Sequence, residues 1–129
     1  MKGEVLLDAS ALYPILNYLD KVDVSKIYIL PLTFYEVGNA IWKEYYIHKK
    51  VKDPITLVTL FQNFMSRLKV LDNPPADKVM KVAIEKGLTF YDAAYVYSAE
   101  SHGLILVSED RELIKKANAV SLKDFLRLI

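Results

Sequence analysis

The sequence contains no cysteine. That absence excludes disulfide frameworks, zinc–thiolate sites and thiol catalysis, and it fits a reducing compartment. Glycine is scarce: Gly3, Gly38, Gly87 and Gly103 are too scattered to build the glycine-rich turn that dinucleotide or P-loop binding requires. No apolar run approaches the roughly 20 residues of a membrane-spanning helix. The N-terminus, Met1-Lys2-Gly3-Glu4-Val5, runs into a short strand-like segment and lacks the apolar core of a secretory signal. The expectation is a soluble, cytoplasmic protein with no membrane partner. Charge of one sign is also missing. Seventeen basic and 16 acidic side chains leave a net charge of +1, so the chain is no polycation. Any nucleic-acid contact must come from local patches such as Lys49, Lys50 and Lys52.

What is present is apolar material. Hydrophobic residues make up 53% of 129 residues, enough to bury one substantial core without a structural metal, and no linker, repeat or low-complexity stretch divides it. One domain over residues 1–129 is expected. Val5-Leu6-Leu7 and Ile27-Tyr28-Ile29 are apolar runs too short for helices and suited to buried strands. Residues 104–107 read as the clearest strand, with shorter candidates at 69–71 and 119–120. Between them lie helical spacings over residues 9–19, 31–49, 54–68, 75–86, 89–102, 110–117 and 122–128. Pro31 suits a first helical turn, Gly87 a helix stop, and Ser108 a cap for the helix from residue 110. Short buried strands alternating with helices predict a three-layer α/β/α fold on a parallel sheet of about five short strands.

Ligands of open parallel sheets bind beyond the carboxyl ends of the strands. Asp8 directly follows the first strand, and Asp110 follows the strand over 104–107 by three residues. Asp92 falls in the first turn of the helix leading into that strand, and Glu36 falls early in the helix after the second strand. All four acids can therefore meet at one rim of the sheet. Each also has a structural role open to it: Asp8 as a helix cap, Asp92 as the capping-box partner of Thr89, Asp110 as a complement to a helix dipole, Glu36 as a solvated helix residue. Asn39 and Lys43 neighbour Glu36 at helical spacing and are candidates to support it or to contact phosphate. Carboxylates held together repel one another and resist ionisation, a penalty that a divalent cation removes. All-oxygen donors without histidine or cysteine favour Mg²⁺ or Mn²⁺ over zinc. Aromatics add a further feature: nine tyrosines exceed the needs of a small core. Tyr45-Tyr46 and Phe61-Phe64 sit on neighbouring helices that could form a groove for a partner helix, although Phe61 and Phe64 are also ordinary core candidates.

Four segments carry a family resemblance: Leu7-Asp8-Ala9-Ser10-Ala11-Leu12, Leu32-Thr33-Phe34-Tyr35-Glu36-Val37-Gly38-Asn39, Leu88-Thr89-Phe90-Tyr91-Asp92-Ala93-Ala94-Tyr95, and Leu106-Val107-Ser108-Glu109-Asp110-Arg111-Glu112-Leu113. In this order, with every acid present, the chain resembles the PIN-domain ribonucleases and, in size, the VapC-like toxins of toxin–antitoxin pairs. The resemblance implies a Rossmann-like parallel sheet and Mg²⁺- or Mn²⁺-dependent endonucleolytic hydrolysis of RNA. It makes Asp8, Glu36, Asp92 and Asp110 catalytic, with Asp8, Asp92 and Asp110 as metal ligands. Ser10 matches a hydroxyl position two residues after the first acid. Ser108 stands where threonine is usual, with the hydroxyl kept. Glu109 adjoins Asp110, but the motif spacing selects Asp110. A homodimer and a small cognate antitoxin are implied as partners. The alternative is a catalytically silent PIN scaffold that binds RNA or a partner protein; retention of all four acids argues against it. A phosphatase of the haloacid-dehalogenase type needs a second aspartate where Ser10 stands.

Overall fold

The computed structural model describes residues 3–129. Strand β1 (Val5–Leu7) lies in the middle of a sheet with β2 (Ile27–Ile29), β3 (Lys69–Val70) and β4 (Ile105–Val107), in the order β3-β2-β1-β4 with every pairing parallel. Seven α-helices cover the sheet among the described residues: α1 (Ala9–Ile15), α2 (Pro31–Tyr46), α3 (Pro54–Met65), α4 (Ala76–Lys86), α5 (Phe90–His102), α6 (Arg111–Ala117) and α7 (Leu122–Leu128).

The three residues of β1 have no solvent exposure, because successive side chains point to opposite faces and both faces are covered. Val5 and Leu7 join a core formed with residues of α1, α2, α3 and α7, including Leu12, Ile41, Phe61, Phe64 and Phe125. Leu6 joins the other core, with Val79 of α4, Val96 of α5 and Leu113 of α6. Fully burying an aliphatic side chain of this size is worth about 1.5–3 kcal/mol, so β1 anchors both layers, as does β4 through Val107 and Leu106.

The sheet has four strands, not the five expected. Residues 119–120 contribute one isolated bridge, Val107 to Val120, and no strand. The chain reaches Val120 directly out of the left-handed Asn118 (φ 57°) and enters α7 at Leu122, which leaves no length for a ladder. Three helices are shorter than their expected ranges, α3 among them, which ends at Met65 and not at residue 68. α1 ends at Ile15 and continues as a 3₁₀ turn over Leu16–Tyr18. Pro14 has no N–H for Ser10 O, which weakens the α-helix in its last turn. α2 ends at Tyr46, and Lys49 takes a positive φ as the chain folds back, with Lys50 and Val51 donating to Glu44 O. Gly87 and Gly103 close α4 and α5 in the left-handed region, at φ 66° in each case.

The chain order explains where a site must lie. From β1 the chain moves outward to β2 and then β3, and it returns to place β4 on the other side of β1. Connections therefore leave β1 and β4 in opposite directions. The crevice beyond their carboxyl ends is the topological switch point of the sheet.

Candidate active site

Asp8 follows β1 at that switch point and caps α1: its Oδ1 accepts from Ala11 N (3.2 Å). The capping role open to it in the sequence is thus real, and it does not exhaust the residue. Ser10 Oγ donates to Oδ1 (2.7 Å) and Ser108 Oγ donates to Oδ2 (2.5 Å). Both hydroxyls also accept: Ser108 from Asp110 N (2.9 Å) and Ser10 from Glu109 N (2.9 Å). Ser10 and Ser108 therefore stitch the loop after β1 to the loop after β4, with the Asp8 carboxylate between them. Asp8 N donates to Val107 O across the same junction (3.3 Å).

Asp110, not Ser108, is the N-cap of α6, and its Oδ1 accepts from Glu112 N (2.8 Å). Ser108 is instead fully buried beneath Asp8. Glu109 turns away from the crevice, and its Oε1 accepts from Leu122 N at the start of α7 (2.9 Å). Asp92 lies in the first turn of α5, whose cap is Thr89, and Asp92 N donates to Thr89 Oγ1 (3.1 Å). The cap uses the backbone of Asp92, and its carboxylate, which also feels a hydrogen bond from the Thr89 hydroxyl, borders the crevice.

Glu36 Oε1 accepts from the Tyr95 hydroxyl (2.7 Å). Tyr95 Oη also lies 2.8 Å from Thr33 Oγ1, which accepts from Leu30 N (3.2 Å). Tyr95 has one proton and gives it to Glu36, so the Thr33 hydroxyl must donate to Tyr95. The chain of bonds runs one way, from the Leu30 amide through Thr33 and Tyr95 to Glu36. Thr33 and Tyr95 are buried.

Asp8, Ser10, Glu36, Asp92, Tyr95 and Asp110 line one cleft of about 290 Å³, together with Ala9 and Ala40. Asn39 and Lys43 are solvent-exposed and are not among its lining residues. Tyr95 and Thr33 are the residues that sequence reasoning passed over. They stand three positions from Asp92 and Glu36, respectively, on the same helix faces, so a signal existed.

The electrostatics follow from this crowding. Burial pushes the Asp8 carboxyl above its ordinary value, against the hydrogen bonds from Ser108, Ser10 and Ala11, and Asp110 adds repulsion. Burial likewise raises Glu36, with Tyr95 opposing and Asp8 and Asp92 reinforcing the shift. Asp92 is raised by burial and by the charge of Asp110. Burial raises the Tyr95 phenol, which therefore stays a hydrogen-bond donor at any physiological pH. Among the described residues no three acidic or histidine side chains are drawn together tightly enough to cage an ion directly. An open cleft of carboxylates suits a small hard cation that retains several waters, and the donor set, oxygen only, fits Mg²⁺ or Mn²⁺.

A second, larger cavity of about 480 Å³ adjoins the cleft and shares Ala9 and Ala40 with it. Its wall is mostly apolar, with Tyr13, Val37, Ile41, Leu57 and Phe61, and it also includes Glu44 and Lys50. Phe61 and Phe64 are core residues, whereas Tyr45 and Tyr46 are exposed. No helix of the described residues is long and apolar enough to cross a membrane.

Comparison with known proteins gives a family match. A family model described as PIN domain matches residues 5–119. The chain is 48% identical over 118 residues to Exonuclease VapC9 of Pyrobaculum aerophilum, covering 90% of this chain and 87% of that protein. It is 33% identical over 97 residues to Ribonuclease VapC3 of the same organism, covering 74% of each. A crystal structure of a Pyrobaculum aerophilum protein superposes with a TM-score of 0.88 at 46% identity, over 99% of this chain and 90% of that one. A toxin–antitoxin complex from Klebsiella pneumoniae shares the fold at 16% identity, with a TM-score of 0.65 over 91% of this chain and 96% of that one.

Proposed function

The chain belongs to the PIN-domain family, and from that premise we propose that it is a Mg²⁺- or Mn²⁺-dependent endoribonuclease acting at the four-acid cleft. The observation that carries the reading is the convergence of Asp8, Glu36, Asp92 and Asp110 on one cleft from four separate elements. Asp8, Asp92 and Asp110 would hold the cation, in part through its retained waters, and it would supply Lewis acidity and charge neutralisation to phosphodiester hydrolysis.

The protein's own groups do the rest. Ser10 and Ser108 fix both oxygens of Asp8 and keep them acceptors only. Tyr95 occupies Glu36 Oε1, so Oε2 is the oxygen offered to the cleft. A carboxylate with a raised proton affinity suits accepting a proton from an attacking water at that atom. The buried Tyr95 proton keeps Glu36 in one rotamer while this happens.

One relative is named an exonuclease and another a ribonuclease, which favours end-trimming as the second reading. An RNA closed into a circle separates the two, because only an endonuclease opens it. The family resemblance also supports a role as the toxin of a toxin–antitoxin pair, acting as a homodimer and silenced by a small cognate antitoxin. The apolar cavity against the cleft suits the apolar face of such a partner's helix.

The test is cleavage of linear and circular RNA with Mg²⁺ or Mn²⁺, with and without EDTA, by wild type and by Asp8→Asn. Wild type cuts both substrates, EDTA stops it, and Asp8→Asn loses on the order of a hundredfold or more, at least what loss of a ligand's hydrogen-bond partner costs. Equal cleavage by the two proteins would falsify the proposal.

A further inference from the structure

Helix α2 carries Glu36 into the cleft and, further along, turns an aromatic column to solvent. Trp42 and Tyr46 stack with ring centroids 5.2 Å apart and planes 10° from parallel. Both are exposed, at 47% and 59%, so this pair is not core. Lys49 Nζ lies over the Tyr46 ring at 5.2 Å. The column therefore runs Lys49, Tyr46, Trp42 from the end of α2 towards its start. It carries a cation at one end and the half-exposed Trp42 ring at the other. Six residues separate Glu36 from Trp42, about 9 Å along a helix axis.

The surroundings are basic although the whole chain is near neutral. Lys43, Lys49, Lys50 and Lys52 lie within this stretch and are exposed. Glu44 is engaged with His48 (3.4 Å), and Asp53 is used in capping α3, accepting from Thr56 N (3.0 Å). A flat open ring flanked by lysines is the chemistry that takes an unstacked base and its phosphates. A second copy of the chain or an apolar helix would want aliphatic surface in place of four ammonium groups.

We propose that the Trp42–Tyr46 column, with Lys43 and Lys49, is a stacking platform for single-stranded RNA, seating a base of the strand that enters the carboxylate cleft. This deepens the ribonuclease reading and rests on it for the identity of the strand. The platform holds one base by its π-face, so it is tolerant of base identity, and it gives single strands an advantage over duplexes.

Trp42 is the chain's only tryptophan, so its emission reports the platform directly. The experiment titrates the protein with a short mixed-sequence single-stranded oligoribonucleotide in EDTA, where no cleavage intervenes. Saturable quenching of Trp42 is expected, with little from the same sequence as a duplex. Binding of an end-labelled oligoribonucleotide should weaken by roughly fivefold to a hundredfold in Trp42→Ala and by much less in Trp42→Phe. Absent quenching, or unchanged affinity in Trp42→Ala, overturns the proposal. So does emission that follows protein concentration alone, with a dimer that dissociates in Trp42→Ala, because the face then holds a second copy. The two readings fail separately. RNA that is cut, yet bound equally well by Trp42→Ala, removes the platform and spares the nuclease. RNA that quenches Trp42 but is never cut removes the nuclease and spares the platform.

Discussion

Thr33, Tyr95 and Glu36 form a buried line of hydroxyls ending on a carboxylate. In a low-dielectric site a fixed donor is worth more than one in water, and an unpaired one costs more. Tyr95→Phe removes one oxygen and leaves the ring in its core position, so the fold should persist. It frees Glu36 to change rotamer and leaves the Thr33 hydroxyl without its acceptor. Cleavage should fall about tenfold to a hundredfold, the usual cost of losing a partner of a functional carboxylate. Mn²⁺-dependent turnover compared in Tyr95→Phe, Glu36→Gln and the double variant checks it. The double variant should be no worse than Glu36→Gln; full additivity would mean that Tyr95 does not act through Glu36. Ser10 and Ser108 are tied to Asp8 in the same manner, and both were visible from their spacing to the acids. Asn39 and Lys43 share a helix face with Glu36 as well, yet Thr33 is the neighbour that reaches the network. Helical spacing names all the neighbours of a residue, and only burial tells which of them turn inward.

α5 supplies Asp92 and Tyr95 to the cleft from its first turns and ends at Gly103 with φ 66°. A Cβ at Gly103 would meet no atom within 4 Å, so Gly103→Ala is opposed by backbone strain alone. A stability loss of about 1–2 kcal/mol is expected, with cleavage at permissive temperature unchanged because the cleft lies at the other end of the helix. Denaturant unfolding measures it, and an unchanged midpoint would show that this cap is not held in the left-handed region. Helix positions, the Gly87 stop and all four strands were legible in the sequence because they rest on local apolar patterning and turn chemistry. The bridge at Val120 was not, because a single residue pairing carries no periodic signal. The early end of α2 escaped as well: apolar spacing continues past Tyr46, while the backbone of Lys50 and Val51 folds back onto Glu44. The cap of α6 went to Asp110 over Ser108 because Ser108 is buried under Asp8, a contact spanning a hundred residues.

For the molecule as a whole, the cleft is a local cost. Asp8, Glu36 and Asp92 all bind protons more tightly in the folded state than the unfolded chain does. Stability from these groups is therefore fully present in acid and is lost as pH rises from the ordinary carboxylate range through their raised folded values. Asp92→Asn removes one of the three and relieves Glu36. Without metal, the variant should gain stability over wild type as pH rises to neutrality, read from thermal unfolding of both across that range. Parallel curves would contradict the shift. Asp23 and Asp53, lowered by their capping hydrogen bonds, act in the opposite direction in both proteins and cancel in the comparison.

A cation bound only by the folded state must offset that cost, by about 2.7 kcal/mol at a hundredfold excess over its dissociation constant. The decisive measurement is thermal unfolding of wild type and Asp8→Asn during titration with Mn²⁺. A four-carboxylate cation site predicts a melting temperature that climbs with Mn²⁺ in wild type and stays nearly flat in Asp8→Asn. An equal rise in both proteins, or none in wild type, would contradict it.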